Sequence, residues 1–234
     1  MLSTLKQWIN ANRHARTRID TDNLPTPKSA GEQNLFNSRL IVLDLETTGL
    51  NTAKDEVIAI GAVAIEKGAI HLDDQFDLIL RRPELDIRET VLIHGIGPEA
   101  LTQGQETKEA LLRLLEWMNG DPILAYHAAF DKRFLERTLK AQLGYSLSHV
   151  WMDVAELLPA FFPKADPKGR GLDHWSDFFG LEVSERHHAA ADAMVTAELT
   201  LIALNSAKKA NVKTLKDLYQ KLRYQRRLQK MKRF

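Results

Sequence analysis

Apolar residues fall into two rhythms along this chain. Between Arg39 and Arg81 they come in dense runs, Arg39–Leu45 (RLIVLDL), Val57–Glu66 (VIAIGAVAIE) and Ile70–Arg81 (IHLDDQFDLILR). Runs of this length, rich in β-branched residues, predict three strands. The link between the second and third is short and holds no helical segment, which predicts an antiparallel meander. Beyond Pro83 the apolar spacing changes to threes and fours. Thr107–Asn119 predicts a helix closed by Gly120, Pro122–Tyr126 a short strand, and Ala129–Leu143 a helix closed by Gly144. Val150–Val154 reads as a fifth strand. Helical pattern then covers Glu156–Phe162, Leu172–Phe179 and a long run from Ala189 to Ala207. A meander followed by helices alternating with two more strands predicts an α/β layered domain.

The two ends of the chain read differently. Leu2, Leu5, Trp8 and Ile9 share one helical face, and Asp20–Gln33, with Pro25, Pro27 and Gly31, reads as a linker. The expected organisation is therefore a helix and linker over 1–34, a body over 35–207 and a tail over 208–234. Charge sets the last boundary. The net charge of +1 hides a tail with eleven Lys/Arg and one acid, Asp217, a formal +10 that leaves −9 on the rest. Leu215, Leu218 and Leu222 fall at helical spacing, which predicts an amphipathic helix over Leu215–Arg227. Such a basic helix is either a solvated face or a grip on an anionic partner, nucleic acid above all.

Composition removes several chemistries. With no cysteine there is no disulfide framework, thiolate metal site or cysteine nucleophile. No apolar run approaches the ~18 residues of a membrane span. The N-terminal segment also lacks the apolar stretch and cleavage site of a signal peptide, so a cytoplasmic protein is expected.

Four acids and a histidine carry the candidate chemistry. Strand side chains alternate, so Asp44 and Glu46 share one face where the first strand ends, before Thr47-Thr48-Gly49. Two carboxylates closing an apolar strand either fray into solvent or require a cation. Asp131 begins a helix, where an acid also serves the helix dipole. Asp192 lies among alanines on an apolar helix, and a buried acid there requires a partner from elsewhere in the fold. His187 stands five residues earlier, roughly 140° away on an ideal helix. To meet Asp192 it must lie before the helix begins.

The ordered set resembles the DEDD exonucleases, and within them the histidine-bearing (DEDDh) branch that includes the proofreading subunit of bacterial replicative polymerases. The resemblance runs from Leu40 to Leu204. It rests on Ile41-Val42-Leu43-Asp44-Leu45-Glu46-Thr47-Thr48-Gly49-Leu50, Ile60-Gly61-Ala62-Val63, His94-Gly95-Ile96, Ala128-Ala129-Phe130-Asp131, Asp153 and His187 through Ala193. It implies a ribonuclease H-like fold with a five-stranded mixed sheet flanked by helices. It also implies four metal-binding acids, Asp44, Glu46, Asp131 and Asp192, with His187 as the catalytic base. His188 occupies the slot that carries tyrosine in a neighbouring branch. Thr47, Gly49, Leu50 and Phe130 are expected to meet the terminal nucleotide, although Gly49 is also a turn glycine and Phe130, with Phe134, also has core spacing.

The expected chemistry follows from charge. Converging carboxylates repel one another in a low-dielectric cleft, and divalent cations relieve that repulsion. Oxygen-only ligation favours two Mg²⁺ or Mn²⁺ ions, which can clamp a phosphodiester while a histidine takes a proton from water. The expected activity is 3′–5′ removal of 5′-mononucleotides from single-stranded DNA. The alternatives are RNA 3′-end trimming and a non-catalytic nucleic-acid-binding protein on the same fold. A polymerase or another protein is an expected partner. Two positions depart from the family pattern: Tyr126-His127 stands where His-Asn is usual, and Ala59 where Glu is common. Both bear on how the terminal nucleotide is held.

Overall fold

The first two apolar runs can be buried on both faces only as the centre of a sheet, and that is where they lie, with the third run at the sheet's edge. The computed structural model describes residues 24–87, 90–165, 171–183 and 186–231. The expected N-terminal helix around Trp8 falls outside the described residues. Strands β1 (Leu40–Thr47), β2 (Val57–Glu66), β3 (Ala69–Ile79), β4 (Ile123–Ala125) and β5 (Trp151–Asp153) form one sheet in the order β3-β2-β1-β4-β5. Pairing is antiparallel across β3-β2-β1 and parallel across β1-β4-β5. The result is the expected five-stranded mixed sheet flanked by helices.

Strand alternation divides β1 between two cores. Ile41, Leu43 and Leu45 face one side, under α3 (Thr107–Met118) and α4 (Ala129–Leu143). Leu40 and Val42 face the other, under α5 (Val154–Phe161), α7 (Ala189–Lys209) and α8 (Leu215–Met231). Asp44 and Glu46 continue this second row, so β1 runs from apolar to acidic along the face that α7 covers. The helix α6 (Leu172–Phe179) matches its expected span. Two short helices, α1 (Val91–His94) and α2 (Pro98–Gln103), were not anticipated. They have four and six residues, too few for a helical period to show.

The basic tail is built into the second core. Its helix α8 starts on a capping box in which Thr214 Oγ1 accepts the Asp217 N–H at 3.0 Å while Asp217 Oδ2 accepts the Thr214 N–H at 3.0 Å. Leu215, Leu218 and Leu222 are buried in the same cluster as Leu40 and Val42. The positive charge therefore sits on the outer face of a helix that packs on the domain.

Candidate active site

The site forms where β1 and β4 end and the helices that follow return over the sheet, the usual location for ligands in sheets with parallel strands. Asp44 pairs across β1 and β2 with Gly61. A Cβ at Gly61 would overlap the backbone of Ala189 and Ala190. The missing side chain thus lets the first turn of α7 lie directly on the sheet. That turn carries Asp192. Carboxylate oxygens of Asp44, Glu46 and Asp192 consequently lie within 4.8 Å of one another. Immediately after Glu46 the β1–β2 register shifts, a bulge of the kind that re-aims side chains at strand ends.

Asp131 stands beside this trio and is almost fully buried, at 3% exposure. Its carboxylate accepts the N–H of its own residue and that of Leu45. The loop that delivers it is pinned by Asp153. Asp153 Oδ1 accepts the His127 N–H at 3.0 Å and the Ala155 N–H at 2.9 Å, and its carboxylate also accepts from Ala128. His127 itself adopts a left-handed backbone, φ 59°. Sequence reading gave Asp153 no role. Its position one residue before α5 was the available signal, because acids favour helix N-caps.

Electrostatics register the crowding. Burial, followed by the charges of Asp131 and Glu46, pushes the Asp44 carboxyl well above its usual range. Burial raises Glu46 to about 7. Asp131 is pushed up to about 8, mainly by burial and further by Asp153 and Glu46, against the pull of its two backbone hydrogen bonds. Arg186 opposes the shifts of Asp44 and Glu46. Its guanidinium is hydrogen-bonded to both Asp192 and Asp173. Arg186 is not among the residues expected from sequence, although it stands directly before His187 in an acid-bearing motif.

His187 precedes α7, as convergence with Asp192 requires. It holds a left-handed backbone, φ 61°, and its N–H donates to Asp192 Oδ2 at 3.1 Å. The side chain is exposed. His94 lies near it: burial first and the charge of His187 second lower the His94 pKa. His94 Nδ1 accepts the Ile96 N–H at 3.1 Å. His188 is the exposed N-cap of α7 and makes no side-chain capping bond.

The candidate nucleotide contacts are dispersed. Thr47 Oγ1 donates to the Gly49 carbonyl at 2.8 Å, and a Cβ at Gly49 would collide with the Asp55 carboxylate, so both residues hold the turn closed. Leu50 projects from that turn at 85% exposure. Phe130 is half-buried with its ring centroid 4.8 Å from that of Phe134, which is fully buried in the core. Ala59, opposite Glu46 in the register, is buried with Ile96 and Ala189, and Tyr126 is buried in the second core.

Residues 41–200 match the family model described as Exonuclease, of RNase T type. The chain belongs to the exonuclease family. The exonuclease is 32% identical over 182 residues to the PolC-type DNA polymerase III of Thermotoga petrophila, covering 78% of this chain and 13% of that protein. Against the PolC-type polymerase of Thermotoga maritima it is 31% identical over 195 residues, covering 83% and 14%. The chain thus spans about one-seventh of the length of these relatives. In fold it is similar to exonuclease I (TM-score 0.62, 20% identity, 74% of this chain and 41% of that one). It is also similar to E. coli exonuclease I in complex with a dT13 oligonucleotide (TM-score 0.63, 18% identity, 74% and 42%). The fold is ribonuclease H-like and the chain is a nuclease.

The donor set of the exonuclease suits a hard divalent cation. It offers carboxylate oxygens alone, drawn together at burial levels where their negative charges destabilise one another. Arg186 meets only part of that charge.

Proposed function

We propose that this exonuclease removes 5′-mononucleotides from the 3′ end of single-stranded DNA, with Asp44, Glu46, Asp131 and Asp192 holding two divalent cations, Mg²⁺ or Mn²⁺. The observation that carries the reading is the convergence of Asp44, Glu46 and Asp192 within 4.8 Å, with Asp131 beside them and His187 on the rim. When bound, the cations would supply Lewis acidity to the attacking water and to the leaving 3′ oxygen.

The chain's own residues do the rest. His187, exposed on a turn that its backbone bond to Asp192 anchors, takes the proton of the attacking water as general base. The closed Thr47–Gly49 turn supports Leu50, whose apolar side chain meets the terminal base, while the half-buried Phe130 offers a ring edge. Asp153 keeps the loop before α4 in place and so positions Asp131. DNA is favoured because the neighbouring exonuclease I structures hold dT13 and dA16 oligonucleotides. The PolC-type relatives suggest a polymerase as a partner.

The test is a length ladder. A 5′-labelled DNA strand and an RNA strand of matched sequence are digested with Mg²⁺, Mn²⁺ or chelator. Stepwise shortening of DNA from the 3′ end, dependent on metal, is expected. Faster shortening of RNA would reassign the substrate, and no shortening of either would overturn the activity.

A further inference from the structure

The β1–β2 connection, residues 48–56, follows Glu46 and Thr47 directly and carries the exposed Leu50. The loop is closed on itself. The Thr48 N–H donates to the Glu56 carbonyl at 2.9 Å, the Glu56 N–H donates to Thr48 Oγ1 at 3.0 Å, and Asp55 Oδ2 accepts the Asn51 N–H at 2.7 Å. An exposed leucine has little packing to hold it, so its position is only as firm as the backbone beneath it. Two arginines tie that backbone to the body of the domain, and they meet at its last residue, Glu56.

Arg137 comes from α4, the helix that carries Asp131. Its guanidinium donates to the Asp55 carbonyl, lies 3.6 Å from Glu56 Oε1, and holds Cζ 5.4 Å from the centroid of the Phe134 ring. The buried Arg82, just beyond β3, places Nη2 3.7 Å from Glu56 Oε2. One carboxylate at the base of the loop is thus shared between two guanidiniums. Arg137 acts at once as a donor to a carbonyl, a charge beside a carboxylate and a flat face on a ring, a combination that lysine cannot supply. Phe130, Phe134 and Arg137 stand at i, i+4 and i+7 along α4. One face of this helix therefore runs from Phe130, the neighbour of Asp131 in sequence, to the clamp on the Leu50 loop. The loop and a carboxylate of the acidic cluster share one rigid frame.

We propose that Arg137 is a positioning residue for the terminal nucleotide: it clamps the β1–β2 loop to α4 and so fixes Leu50 relative to the acidic cluster, where it grips the terminal base. The assignment rests on the exonuclease reading above. In this role Arg137 touches no substrate atom and acts through Leu50. The grip lies away from the scissile phosphodiester and contributes alike to the ground and transition states, so its loss falls on KM rather than on kcat.

Steady-state kinetics on two substrates read the clamp. The p-nitrophenyl ester of thymidine 5′-monophosphate fills only the terminal position, whereas a ten-residue oligo-dT extends beyond it. Arg137→Gln should raise KM roughly fivefold for both, with kcat kept within about twofold, and Arg137→Lys should recover little of the loss. Leu50→Ala should raise KM to a similar extent and the double variant no further, because both changes remove the same grip. A nitroxide on Leu50→Cys gives a readout free of catalysis, since the chain has no other thiol. Its spectrum should sharpen when Arg137→Gln is added. Glu56→Gln, a milder change that keeps the Arg137 bond to the Asp55 carbonyl, should move KM and the spectrum in the same direction and serves if Arg137→Gln does not fold. Additive losses in the double variant, a loss confined to the oligomer, or an unchanged nitroxide spectrum would each overturn the clamp while leaving the exonuclease reading intact. Wild-type protein that cleaves neither substrate would overturn that reading and the grip with it.

Discussion

The two ends of β4 carry carboxylates of equal burial and opposite circumstance. Asp121, just before the strand, and Asp131, after it, are each 3% exposed. Asp121 is met by Lys28 Nζ at 2.5 Å and Arg39 Nη1 at 3.2 Å, cations fixed by the linker and by the start of the body. Asp131 has backbone N–H groups for partners, and its charged neighbours are Asp153 and Glu46. Asp44 is repelled in turn by Asp131 and Glu46. One carboxylate is neutralised from within the chain and serves the fold. The others keep a charge that the chain does not neutralise, and such a surplus is tolerated where an external cation is expected.

The comparison is broken most sharply by exchanging charge for amide at each end. Asp44→Asn should reduce strand cleavage roughly a thousandfold, while stability in chelator holds or rises because a repulsive charge has gone. Asp121→Asn should do the reverse. It leaves Lys28 and Arg39 without their shared anion and should lower stability by about 3 kcal/mol, with cleavage retained at temperatures where the domain is folded. Denaturant unfolding alongside the ladder assay checks both.

A pH scan sharpens the contrast. Raised carboxyl pKa values mean that the metal-free fold binds more protons than the unfolded chain. The stabilisation from these groups is full below the ordinary carboxylate range and is lost as pH climbs through about 7 for Glu46 and about 8 for Asp131. In chelator the melting temperature should therefore fall from the ordinary carboxylate range up to about pH 8 and level off above it. The increment restored by Mg²⁺ should grow across the same window, because protons and cations compete for the same oxygens. Scanning calorimetry with and without Mg²⁺ measures both trends. The smallest effect belongs to Arg186, which lies on Asp192 and Asp173. Arg186→Gln should weaken the metal-free fold by about 1 kcal/mol and tighten Mn²⁺ binding roughly fivefold, read by paramagnetic resonance.

Much of this was legible in the sequence because it depends on local period. The span of β2 was read to the residue, as was that of α6, and α4 was expected to close at Gly144, where the chain turns left-handed. Alternation in β1 placed Asp44 and Glu46 on one face, and the offset of His187 from Asp192 placed it ahead of α7. What escaped is what only tertiary contact decides. Gly61 looks like any strand glycine until α7 is laid against it. Arg186 and Asp153 gain their partners from other segments, and the seating of α8 in the second core depends on a sheet face that is complete only when the strands are paired.

The claim at the centre is that the cluster of Asp44, Glu46, Asp131 and Asp192 is built for divalent cations. Calorimetric titration of metal-free protein with Mn²⁺ at pH 8 tests it directly. Two ions per chain, with binding lost in Asp44→Asn, is the predicted result. No binding in the wild type, or an unchanged isotherm in Asp44→Asn, would contradict it.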